Sequence, residues 1–118
     1  MRPQVRAFRD AAAQACQLRR FSFKEFMEDR GLEDILNAAE TNNASPKEIA
    51  GEVLFRCCLQ DGRFNNFHVG VLAVMSFLNH HLGPLGQGGP QAFHDLATIL
   101  KGPCTAKVIA GWLDTHYP

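Results

Sequence analysis

The chain has 118 residues, 46% of them apolar, and 12 basic side chains balance 12 acidic ones. That length suits a single domain over residues 1–118, and the apolar share excludes a disordered chain. Zero net charge argues against direct nucleic-acid binding, which draws most of its affinity from a basic excess.

The punctuation is helical from end to end. Residues 4–20 place Val5, Phe8, Ala12, Ala15 and Cys16 at helical spacing. The five arginines of the first twenty residues, against Asp10 alone, read as a solvated helix face. In FSFKEF, Ser22 and Glu25 fit a capping box, and Phe21 and Phe26 occupy the two staple positions, so a helix should begin at Phe23. Gly31 can end it in the left-handed conformation. A short helix over 32–40 follows, and TNNA closes it. Ser45, Pro46 and Glu48 then supply cap, first position and third position of a helix over 46–60, stopped by Asp61-Gly62. Asn65 or Asn66 can cap the next, over 67–82, which Gly83-Pro84 ends. Residues 83–90, GPLGQGGP, form a loop. Pro90 opens a helix to Lys101, Gly102-Pro103 ends it, and Thr105 caps a last one through Asp114. No alternating strand pattern competes. The expectation is an all-α, compact single-domain bundle of six or seven short to medium helices. Its folded surface should be about 6,400 Å².

Cys16, Cys57, Cys58 and Cys104 show neither a disulfide framework nor the C-x-x-C spacing of zinc sites. That usage fits a reducing compartment, hence the cytoplasm. No histidine pair has i,i+4 spacing, and no H-E-x-x-H occurs. The glycine-rich loop lacks the Lys-Ser/Thr of a phosphate loop. No residue pattern calls for a catalytic centre, a metal or a cofactor, so an enzyme is not expected.

Residues 64–94 hold no Lys, Arg, Asp or Glu. Their apolar run, FHVGVLAVMSFL, is shorter than the roughly 20 residues that cross a bilayer, so no membrane span is expected. At 100° steps, Phe67, Val71, Val74, Met75, Leu78 and Leu82 form a core-facing stripe. The remaining face carries His68, Val69, Leu72, Ala73, Ser76, Phe77, Asn79, His80 and His81. Either neighbouring helices surround it, or another protein covers it. Depletion of charge with enrichment of aromatics and Met is the mark of an interface core. Val69, Leu72, Phe77 and His80 are the expected contact residues. Phe55 and Leu59 either extend that face or pack under a neighbouring helix.

The stretch EIAGEVLFRCCLQDGRFNNFHVGVLAVMSFLNHHLG, residues 48–83, together with the chain length, resembles the QslA-like quorum-sensing anti-activators of pseudomonads. The resemblance implies a homodimer that binds a LuxR-type transcription regulator, LasR-like, at its ligand-binding domain. It further implies that the regulator's dimerisation, and with it DNA binding, is blocked. The rival expectation is a small-ligand- or metal-sensing helical protein with a pocket among His68, His80, His81 and Cys58.

Overall fold

Three serine and threonine caps set the phase of the bundle. In this computed structural model, which describes residues 1–57, 67–83 and 89–118, Ser22 Oγ accepts from the Glu25 N–H at 3.2 Å. Ser45 Oγ accepts from the Glu48 N–H, and Thr105 Oγ1 from the Val108 N–H, each also at 3.2 Å. Each bond satisfies one of the orphan donors of a helix's first turn.

Seven α-helices result among the described residues: α1 Pro3–Arg19, α2 Phe23–Glu28, α3 Leu32–Asn42, α4 Pro46–Arg56, α5 Phe67–Leu82, α6 Gly89–Lys101 and α7 Ala106–His116. A 3-10 turn at Asp29–Gly31 joins α2 to α3. The chain is an all-α bundle with a Cα radius of gyration of 13.1 Å, close to the roughly 13.5 Å of a compact chain this long. Its surface is 6700 Å². No described helix is long and apolar enough to cross a membrane.

Several ends shift from the sequence expectation by one or two residues, and α4 ends at Arg56, four residues short of the expected 60. α3 reaches Asn42, α6 begins at Gly89 and α7 continues to His116. The stop at Asp61-Gly62, the Asn65/Asn66 cap and most of the glycine-rich loop lie outside the described residues. Gly31 is left-handed, φ +67°, as the cap required. Asn43 and Arg20 also adopt positive φ, at 52° and 55°, and close α3 and α1. Helix α1 has no cap of its own. Instead the Glu40 carboxylate of α3 accepts the Arg2 N–H at 2.8 and 2.9 Å. Arg9 adds a two-pronged bridge to Glu33, with bonds of 2.7 and 3.0 Å, tying α1 to α3. Those hydrogen bonds hold the Glu33 carboxyl below the usual carboxylate range.

At the far end, the Trp112 indole N–H donates to the Ala92 carbonyl at 2.9 Å, fixing α7 on α6. The Tyr117 hydroxyl donates to Asn79 Oδ1 of α5 at 2.8 Å. Burial pushes that phenol up to about 12. Three thiols are sequestered in separate parts of the core: Cys16 near the end of α1, Cys57 after α4, and Cys104 between α6 and α7.

Helix α5 is central, packed chiefly on α1 and next on α4. That placement corrects the reading of its faces. Val69, Gly70, Val71, Ala73, Val74, Phe77 and Leu78 are all buried. They cover about 200° of the helix circumference, since successive residues turn by about 100°. Leu82, a member of the expected core stripe, is 42% exposed and faces outward, and Met75 is half-buried with only its inner side packed on the core. Val69 and Phe77, expected at a partner surface, lie in the chain's own core with 0% and 1% exposure. Two covering helices demand a wider apolar arc than one. The Phe77 ring meets Phe8 of α1 edge to face at 5.4 Å, a favoured aromatic geometry. Val5, Ala11, Ala12 and Ala15 complete the buried stripe of α1, and short side chains there let helices approach closely.

Candidate protein-interaction site

With more than half its circumference enclosed, α5 leaves one narrow outward face. It carries His68, Leu72, Met75, Ser76, Asn79 and His80. These positions repeat at three- and four-residue spacing and so form one stripe. None bears a formal charge. The outward faces of the other long helices all do: Arg6 and Asp10 on α1, Asp34 on α3, Glu48 and Glu52 on α4, Lys101 on α6, Lys107 and Asp114 on α7.

Of the residues expected to meet a partner, Leu72 and His80 belong to this stripe. Leu72 is half-buried, its inner side packed on the core, and His80 is exposed. Phe55 is 45% exposed on a different side of the molecule. Leu59 lies outside the described residues. Val69 and Phe77 are withdrawn into the core, so the structure brings together only part of the set. Met75 and Asn79 join the stripe instead. Gly70 and Ala73, both buried, mark the opposite side of the helix.

The last turn of α5 is electrostatically distinctive. His80 and His81 rings lie 5.1 Å apart at 87°. His81 also packs on Phe77, 4.9 Å between ring centres, and its Nε2 is buried without a hydrogen-bond partner. Burial first, and the neighbouring His80 second, push the His81 imidazole below its ordinary value. It is therefore held neutral near pH 7. A small notch of about 250 Å³ opens beside His80, Ser76, Asp10 and Gln14, at the seam of α1 and α5.

The histidines do not surround one cavity. His68 occupies the first turn of α5 and His80 the last, about 18 Å apart at 1.5 Å per residue. Cys58, the fourth member of that expected pocket, is outside the described residues. Among the described residues no three His, Cys, Asp or Glu side chains gather as a metal would need. A hollow of about 710 Å³ lies elsewhere, between α3, α4 and α7, and Phe55 lines it.

Comparison with known protein families, with characterised proteins and with solved structures finds no match to this chain.

Proposed function

We propose that this protein is a stoichiometric anti-activator. It binds a LuxR-type quorum-sensing regulator, LasR-like, at the ligand-binding domain, and occupies the surface through which that regulator dimerises. The observation that carries the reading is the uncharged outward stripe of α5, in a molecule whose other long helices all present charge to solvent. Apolar and amide groups without Lys or Glu are what a desolvated contact requires. The resemblance of residues 48–83 to QslA-like anti-activators names the partner class, and a homodimer is part of that reading.

The physics needs no reaction. A regulator that reads two DNA half-sites as a dimer loses the linkage between them when held as a monomer. Mass action on the monomer suffices. Leu72, Met75, Asn79 and His80 are the proposed contact residues.

The test mixes purified protein with the ligand-binding domain of a LuxR-type regulator and follows mass by light scattering. The expected result is a complex of defined ratio, with regulator dimers depleted and operator DNA released from the full regulator. Leu72→Glu should weaken the complex by roughly tenfold or more, as loss of a central contact does. A regulator that stays dimeric and DNA-bound in molar excess of this protein would overturn the proposal.

A further inference from the structure

The hollow between α3, α4 and α7 is a second, independent feature; among the described residues none of α5 lines it. Helix α4 forms its floor over three turns, about 16 Å. Small residues shape it: Gly51 in the floor, Ala38 on the α3 side and Ala110 on the α7 side. A Cβ built on Gly51 would meet only Leu113, at an ordinary 3.6 Å, so the floor has room. Ile35, Ile49 and Phe55 give it an apolar lining.

Its rim is acidic in a chain of zero net charge. Asp34, Glu48, Glu52 and Asp114 border the trough against Lys47 and Arg56. Lys47 is engaged with Asp114 at 2.9 Å. No ion pair is formed by Asp34, Glu48 or Glu52 among the described residues.

We propose that this trough is a docking site for a cationic amphipathic helix of a partner protein. The walls are helices whose backbone groups are already bonded internally, so an extended peptide would find no edge to pair with. A helix arrives with its own backbone satisfied. Three turns of apolar side chains at i, i+3/i+4 and i+7 match the length of the floor. Lys and Arg stems would lie along the alanine walls and raise their charges to the carboxylate rim. Complementary charge then sets which helix is accepted.

The probe is a dye-labelled helical peptide of leucine and lysine with leucines on one face, beside a leucine/glutamate peptide of the same pattern. Fluorescence anisotropy reads binding, and circular dichroism verifies that each variant is folded. The leucine/lysine peptide should bind saturably, and the glutamate peptide should not. Glu48→Lys combined with Glu52→Lys, and separately Ala110→Arg, should weaken binding by roughly tenfold or more. Ala13→Arg on the exposed side of α1, and Leu72→Glu on α5, should leave it unchanged, which separates this site from the proposed regulator contact. Equal binding of both peptides, wild-type binding by the trough variants, or no saturable binding would overturn the proposal. So would a change in the protein's own mass on Ala110→Arg, which would make a second copy the occupant.

Discussion

The seam between α1 and α5 and the trough over α4 are built from similar small residues and end in opposite states. On α1, Ala11, Ala12 and Ala15 are buried, because the central helix packs on α1 and sets Phe77 against Phe8. Over α4, Ala38, Gly51 and Ala110 face a hollow of about 710 Å³, because α3 and α7 stand apart and neither sends a large side chain across. Alanine marks the position where backbones can approach; whether they do depends on the bulk presented opposite. A stripe of small residues is thus an opportunity, and the partner helix decides whether it becomes core or cleft.

The contrast can be broken most severely at Phe77. Phe77→Ala removes the ring that meets Phe8 and leaves a cavity in the sealed seam. The expected loss is about 3–5 kcal/mol of unfolding free energy, measured by urea denaturation. A loss no larger than that of a surface change would mean the seam is not sealed.

A matched pair of enlargements sharpens the comparison. Ala12→Leu adds bulk where exposure is 0%, and should cost about 1–3 kcal/mol by overpacking. Ala110→Leu adds the same bulk where the side chain borders open space, and should stay within about 0.5 kcal/mol of the parent. Urea midpoints that fell equally for both would show that the trough closes in solution.

The smallest expected effect is a pH dependence at the end of the seam. Burial and the neighbouring His80 depress His81, so the unfolded chain binds the proton more readily than the folded one. The stabilising contribution of His81 is complete above the ordinary imidazole value, about 6.5. It is lost as pH falls through the lower folded value. The urea midpoint should therefore decline as pH falls below about 6.5, and His81→Gln should flatten that decline. An identical slope in the variant would remove His81 from the account.

Much of the fold was legible because capping chemistry is local. A Ser or Thr oxygen three residues ahead of an amide, with proline at the first position, locates a helix start without knowledge of the rest of the chain. The start of α4 at Pro46 and that of α7 at Ala106 came from such signals. The orientation of α5 was not legible. With no charged residue along its length, its apolar pattern lacks the polar counter-face that fixes a phase. The six-residue stripe chosen from spacing captured Val71, Val74 and Leu78 but assigned Val69 and Phe77 to the outside. The trough was invisible for a different reason. It is a gap between three helices, set by how far α3 and α7 stand apart, and only Phe55 signalled it, as an aromatic residue beside the glutamates of α4. The Glu40 carboxylate at the start of α1 was equally hidden, because that donor and acceptor are 38 positions apart.

The sequestered thiols make the molecule its own stopwatch. Cys16, Cys57 and Cys104 are 2%, 0% and 6% exposed and mark three different stations of the bundle. An alkylating reagent can reach each only when its neighbourhood opens, so reaction times convert directly into opening frequencies. Three coincident rates would describe a bundle that opens as one unit. An early Cys104 would mean that the α6–α7 corner swings away while the α1–α5 seam stays shut.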